Sequence, residues 1–225
     1  NLPAITEALT IDGYTNNPGA SVNTAISPEP INSVLNIEIN NGNNIYANGL
    51  VAYSDNVTLR GLSIVGFDVA VMVDGEGTAD NIVITGNYLG TDTTGQALST
   101  LVEYAGVRLV NSCSNVVIGG NNPSERNIIV GSDAGIDVRC SDVSVYGNYI
   151  GVGKDGVTSI FGESNTGSNG IGILQQTNFP GAPYTDMTVG GPNTGDTNVI
   201  SGFPGAAIVL AGDQNTIQGN IIGGD

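Results

Sequence analysis

The stretch Gly86-Asn87-Tyr88-Leu89-Gly90 decides the fold, because it recurs twice in almost the same form. The second copy is Gly147-Asn148-Tyr149-Ile150-Gly151, and the third is Gly219-Asn220-Ile221-Ile222-Gly223. Each copy carries an aliphatic residue two positions after its Asn and a glycine at both ends. Such self-similarity along a chain is typical of repeat architectures, in which one structural unit is stacked many times.

Each repeat unit contains three short runs with the composition of β-strands. The first run begins with an Asn, Asp or Gln, the second begins with an Asn like that of the motif above, and the third is of the Gly-Ile-x-Val type. The first run starts at Asn56, Asn81, Asn115, Asp142, Asp186 and Gln214. The second starts at Asn87, Asn127, Asn148, Asn198 and Asn220, and the third covers 69–73, 106–110, 135–138, 170–174 and 206–210.

Runs this short bury an apolar face only when they are stacked on equivalent runs in the next unit. The sequence therefore predicts an all-β chain that forms a parallel β-solenoid, with three short strands per coil and about six to seven coils. The motif Asn is expected at a left-handed bend, with its amide bonded to the Asn above and below. The alternative is a β-sandwich with accidental repeats, but the Asn-Gly hairpin turns that would favour it do not recur regularly. One inward aliphatic stack is predicted from Leu89, Ile129, Ile150, Ile200 and Ile222.

The charge composition excludes several classes of function. The chain has 21 acidic residues, 5 Lys and Arg and no His, for a formal net charge of −16. Nucleic acids and anionic membranes need a basic face, so neither is an expected partner. Without His, neither a Ser-His-Asp or Cys-His site nor a His-ligated metal can form.

The repeats resemble those of right-handed parallel β-helix proteins found among bacterial secreted and cell-surface polypeptides. The segment 215–223 is similar to the consensus of that repeat, and the segments 2–6, 10–15 and 35–40 are similar to the lead-in of such domains. The resemblance implies a lead-in and first coil in residues 1–55 and one continuous set of coils in residues 56–225. It also implies an extracellular or cell-surface location, in a rod that looks cut from a longer chain at both ends.

Cys113 and Cys140 occupy the same place in consecutive units. Equivalent positions in adjacent parallel strands lie ~4.8 Å apart, which is within the Cα range of a disulfide. We therefore expect a disulfide between the two coils, although two stacked free thiols would fit the same spacing.

Long loops are expected at 91–103, 152–168 and 175–185. The resemblance to enzymes of this fold implies that such loops wall a groove over the third strands. The outward residues there are predicted to be Met72, Arg108, Asp137 and Gly172. Arg108 and Asp137 align one coil apart and should form an ion pair, which by itself needs only a structural role. If the groove is an active site, Asp133 and Asp137 with Arg108 are the candidates, because paired carboxylates can hydrolyse glycosides.

A calcium site is predicted from Asp74, Glu76 and Asp80, which lie in a Gly-rich turn. Asp92 and Asp155 are further candidates in the long loops, and solvated turn residues are the alternative in each case. No cofactor is otherwise expected.

Two further surfaces are predicted to need a partner. Side chains alternate between the two faces of a strand, so the residues next to the inward aliphatic stack form an apolar column that points outward. Either the loops or another chain must cover this column. Its members are Tyr88, Ile128, Tyr149, Val199 and Ile221. The open strand edges at the rod ends are expected to meet neighbouring domains or other copies of the chain.

The sequence thus favours a non-catalytic structural or adhesive module of a bacterial surface or secreted protein. Self-assembly with other copies is one expectation, and surface glycans are further candidate partners. The alternative is a carbohydrate-active enzyme, a polysaccharide lyase or glycoside hydrolase, or a glycan-binding module that uses the groove.

Overall fold

The fold is described from a computed structural model of the protein. It describes residues 2–42, 46–76, 79–96, 104–161, 170–176 and 184–223.

The first of three parallel sheets contains seven strands among the described residues. In spatial order they are β1 (Leu9–Asp12), β4 (Val57–Arg60), β7 (Ile82–Thr85), β10 (Val116–Gly119), β13 (Val143–Tyr146), β16 (Thr188–Val189) and β19 (Thr216–Ile217). Each pairs with the equivalent strand one coil away.

The second sheet also contains seven strands within the described ranges. They are β2 (Glu38–Asn40), β5 (Ser63–Val65), β8 (Tyr88–Leu89), β11 (Ile128–Ile129), β14 (Tyr149–Ile150), β17 (Val199–Ile200) and β20 (Ile221–Ile222). Short 3₁₀ turns, Pro123–Glu125 and Thr194–Asp196, precede two of these strands.

The third sheet contains six strands in the part of the chain that the structure describes. They are β3 (Asn48–Ala52), β6 (Val69–Asp74), β9 (Ala105–Val110), β12 (Ala134–Val138), β15 (Ile171–Gln175) and β18 (Ile208–Val209). Strands from the three sheets alternate along the chain, so the protein is a right-handed parallel β-helix. The described residues form six coils and the first two strands of a seventh, which confirms the predicted fold and coil number.

The corner that leads into the first sheet is fixed by left-handed residues. Asn56, Asn81 and Asn115 have φ values of 59°, 59° and 49°, and Asp142, Asp186 and Gln214 take the same conformation in later coils. Asn and Asp tolerate this region better than most residues do. These positions match the predicted starts of the first strands.

The corner that leads into the second sheet differs from the prediction in one respect. In three coils the left-handed residue there is the glycine before the motif Asn, for example Gly86 with φ 64°, whereas Asn87 itself has a negative φ. Before Asn127 and Asn198 the equivalent residues are Arg126 and Thr197, with φ values of −64° and −65°. The Asn side chains do form the predicted ladder. The Nδ2 atom of each Asn donates to the Oδ1 atom of the next, at 3.2 Å from Asn87 to Asn127 and 2.9 Å from Asn127 to Asn148. The ladder continues through Asn198 to Asn220.

The core lies between the three sheets and follows the predicted stack. Leu89, Ile129, Ile150 and Ile200 align in register and are fully buried. Ile222 continues the stack in the last described coil, where half of its side chain is exposed.

A strap formed by residues 14–36, between β1 and β2, covers the outward apolar column of the second sheet. Tyr88, Ile128 and Tyr149 are fully buried in a second cluster with Ile31 and Leu35 of the strap. Val152 and Ile160, from the loop after β14, complete this cover. The chain itself therefore covers the column at these coils. The loop was expected to contribute, but the strap was not.

Candidate functional site

The outward face of the third sheet carries a cluster of polar side chains around Asp137. Strand pairing places Arg108 of β9 beside Asp137 of β12. The Nε atom of Arg108 lies 3.3 Å from the Oδ2 atom of Asp137. The predicted ion pair between adjacent coils is thus confirmed.

Asp137 is completely buried, and both of its carboxylate oxygens have hydrogen-bond donors. Tyr104 and Arg139 donate to Oδ2 at 2.9 and 3.0 Å, and Gln176 donates to Oδ1 at 2.9 Å. Burying a carboxylate is costly unless it is paired and hydrogen-bonded, and these groups satisfy that condition. A carboxylate held in this way is poorly placed to act as a general acid or base.

Tyr104, Arg139 and Gln176 were not among the candidates identified from the sequence. Arg139 lies two residues after Asp137, and this spacing on a strand is the signal that could have found it. Tyr104 precedes β9 and Gln176 follows β15, outside the repeating strands. Burial and the neighbouring Asp137 carboxylate raise the pKa of the Tyr104 phenol, so it remains a hydrogen-bond donor.

Arg108 is the exposed member of the cluster. Its side chain is 26% exposed, and its guanidinium carbon lies 4.7 Å from the centre of the Tyr104 ring. Its Nε atom makes no hydrogen bond, although it lies beside Asp137. Stacking on Tyr104 therefore holds the guanidinium group in place, and in the described part of the chain its outer N–H groups make no hydrogen bond.

Two other residues of the predicted groove lie differently. Asp133 contributes its main chain, since its N–H donates to the carbonyl of Tyr104 and its carbonyl accepts from the N–H of Ile171. Gly172 is buried rather than outward, and a Cβ atom there would collide with Ala207 and Ile200. The residue that pairs with Asp137 in the next coil is Leu174. The expected groove walls lie partly outside the described residues, at 97–103, 162–169 and 177–183.

The acidic turn proposed for calcium is only partly described, because residues 77 and 78 lie outside the described ranges. Asp74 accepts hydrogen bonds from Asn111 and from the N–H of Glu76, whereas Asp80 accepts from Ser114. Within the described residues, no group of three acidic, Cys or His side chains is close enough to hold a metal ion. Calcium binding at Asp74, Glu76 and Asp80 stays a prediction that calorimetric titration of metal-stripped protein can test.

Cys113 and Cys140 form the predicted disulfide between adjacent coils, with their Cα atoms 5.2 Å apart. Both side chains are buried. Cys140 directly follows Arg139, so the bridge supports the coil that carries the Asp137 cluster.

A shallow groove of about 470 Å³ crosses the outer face of the first sheet. Its lining includes Thr85, Tyr146, Thr188, Glu125 and Asp196. Glu125 and Asp196 each accept hydrogen bonds from the Asn that precedes their 3₁₀ turn. These hydrogen bonds shape the two corners, so both carboxylates have a structural role.

The ends of the stack expose apolar side chains. In the first coil, Leu9 is 44% exposed and lines an apolar cavity of about 410 Å³ together with Leu2, Ile39 and Leu50. In the last described coil, Ile217 and Ile222 are 51% and 50% exposed. The strands β19 and β20 each pair on one side only among the described residues.

No family model, no curated protein and no solved structure matches this chain. Among the described residues, no helix has the length and apolar character needed to cross a membrane.

Proposed function

We propose that this protein is a non-catalytic structural rod, an extracellular or cell-surface β-helix module of a bacterial surface or secreted protein. The observation that carries the proposal is the pair of apolar end faces. Among the described residues, β1 and β2 at one end and β19 and β20 at the other each pair with a named strand on one side only. A parallel edge with exposed Ile side chains suits one partner best, namely another coil of the same kind. That coil belongs either to a neighbouring domain or to a second copy of the chain.

The disulfide supports the proposed location. Disulfides persist in oxidising compartments and are rare where thiols are kept reduced. A buried bridge between coils is therefore the kind of crosslink expected of a stiff rod outside the cell.

Proline substitution at the open edge tests the proposed contact. The N–H groups of Thr216 and Ile221 already donate to the preceding coil, and in a parallel strand the N–H of the next residue points the other way. Ile217→Pro and Ile222→Pro therefore remove N–H groups that face the open edge, while Ile217→Val and Ile222→Val retain them. We expect wild type and the Val variants to associate end to end in sedimentation velocity and electron micrographs, and the Pro variants to remain single particles. Equal behaviour of all variants would contradict the proposed edge contact.

A second candidate function is binding of glycans at the third-sheet face. It is favoured by Arg108, which is held against Tyr104 and is partly exposed, with outer N–H groups that make no hydrogen bond to the described residues. Binding of glycans without release of new reducing ends would support a binding module. Turnover that is lost in Asp137→Ala, with the fold retained, would instead favour an enzyme.

A further inference from the structure

The five cations of this acidic chain are distributed unevenly. Arg126 donates to the carbonyl of Ala25 and Lys154 to that of Ser33, so both fasten the strap. Arg60 pairs with Asp12 at 3.5 Å. The remaining two, Arg108 and Arg139, both lie against Asp137. Two positive charges and one negative charge give the cluster a net charge of about +1, opposite in sign to the whole chain.

The buried carboxylate of Asp137 uses only one of the two arginines as a hydrogen-bond donor. Asp137 already receives hydrogen bonds from Arg139, Tyr104 and Gln176. Arg108 adds only an ion-pair contact, since its Nε atom makes no hydrogen bond. Arg139 is thus the structural partner of Asp137, and Arg108 is the group that remains available.

The exposed guanidinium group is arranged to bind an anion. Within the described part of the chain, its contacts are Asp137 and the Tyr104 ring. A planar guanidinium group with free N–H donors binds a carboxylate or sulfate through two parallel hydrogen bonds. Because Tyr104 fixes its orientation, little side-chain entropy is lost when such an anion binds.

The residues above and below Arg108 and Asp137 in the same row are apolar. Met72 pairs with Arg108 from one coil, and Leu174 pairs with Asp137 from another. Both are half-buried. The row thus presents one exposed cation, Arg108, and one buried anion, Asp137, between two apolar side chains. This arrangement fits a chain of sugar rings, whose faces are apolar and whose substituents carry the charge.

From these contacts we infer that Arg108 and Tyr104 bind the carboxylate or sulfate group of an acidic polysaccharide. This inference rests on the second proposed function, glycan binding at the third-sheet face. The net charge of −16 opposes the approach of a polyanion, but charges more than ~8 Å away are largely screened at physiological ionic strength. Binding should therefore depend on the local arginine.

The test measures calorimetric binding of three oligosaccharides of equal length: a hexuronic acid oligomer, a sulfated oligomer and a neutral hexose oligomer. Arg108→Met removes the charge but keeps the aliphatic stem. Arg60→Met is the matched control, because Arg60 also pairs with an Asp and lies 5.4 Å from a Tyr ring. We expect at least one acidic oligomer to bind wild type and Arg60→Met, with affinity about tenfold or more weaker for Arg108→Met. The acidic oligomer that responds identifies carboxylate or sulfate as the recognised group.

The alternative outcomes separate the two ideas. Binding of all three oligomers without effect of Arg108→Met would overturn the anion site but leave glycan binding in place. Binding of none by a wild-type protein with a cooperative thermal transition would overturn both. Equal weakening by Arg60→Met would show a non-specific charge effect and would also overturn the site.

Discussion

A disulfide joins Cys113 and Cys140, which lie at the same corner of two successive coils. The two cysteines are 27 residues apart in the sequence. The bridge connects the coil of β9 to that of β12, where Arg108 and Asp137 meet. A covalent link and an ion pair thus tie the same two coils together.

Loss of the disulfide should destabilise the protein by about 3 to 4 kcal/mol, mainly because the unfolded chain gains conformational freedom. Denaturant unfolding of Cys113→Ala/Cys140→Ala, compared with wild type with and without reductant, measures this change. Reductant should lower the stability of wild type and leave the double variant unchanged. A wild-type unfolding curve that does not respond to complete reduction would contradict the expectation.

The Asn ladder should contribute most where it is buried. Asn148 is fully buried and donates to Ile118, Tyr146 and Asn198. Asn148→Ala leaves several of these groups without partners, so we expect a loss of about 3 kcal/mol or more.

Asn220→Ala is the matched control, because it removes the last, half-exposed Asn of the ladder. The loss there should be about 1 kcal/mol, since water can replace the missing partner. Equal losses at Asn148 and Asn220 in denaturant unfolding would argue against a buried ladder.

The two arginines beside Asp137 should differ in their effect on stability. Arg139→Met leaves a buried carboxylate without its hydrogen-bonded cation, so we expect a loss of about 3 to 5 kcal/mol. Arg108→Met removes a partly exposed ion pair and should cost no more than about 1 kcal/mol. The free energies of unfolding of the two variants check this order, and the reverse order would make Arg108 the structural residue.

Ionisation of the tyrosines under the strap should lower the stability of the fold at alkaline pH. Burial raises the pKa of Tyr88 to about 12, from an ordinary value of 10.0. The folded state therefore keeps this proton where the unfolded state releases it. The resulting stability is fully present below pH 10 and is lost as the pH rises through about 12.

Tyr88→Phe should reduce this alkaline loss, and at neutral pH it should cost about 1 kcal/mol through the lost contact with Ser33. The measurement is the free energy of unfolding between pH 8 and 12. Tyr46→Phe, at an 81% exposed position, removes a phenol without a buried contact and serves as the control. An unchanged alkaline profile in Tyr88→Phe would refute this account.

Much of the fold follows from local patterns that repeat at each coil. Asn56, Asn81 and Asn115 mark equivalent corners because the same left-handed bend is needed each time. The disulfide and the pairing of Arg108 with Asp137 follow from counting equivalent positions. To predict these features, it is enough to know which residues of one coil align with which residues of the next.

The strap and the polar cluster could not be predicted in the same way. The strap belongs to no repeat, and its contacts span long separations, such as the hydrogen bond from Tyr149 to the carbonyl of Glu29. Tyr104 and Gln176 reach Asp137 from segments outside the strands, whose paths the repeat does not determine. Gly172 was placed outward because the count aligned it with Asp137, whereas Asp137 pairs with Leu174, two residues further along.

The stacking of coils in register is tested most directly by distances between spin labels on the outer face of the first sheet. Thr58, Ser144, Thr188 and Thr216 lie in one row of this sheet, connected by successive strand pairs. Labels on Thr58 and on each of the other three should be separated by ~14, ~19 and ~24 Å, because each coil adds ~4.8 Å. Distances that do not increase evenly with the number of intervening coils would contradict the parallel stack.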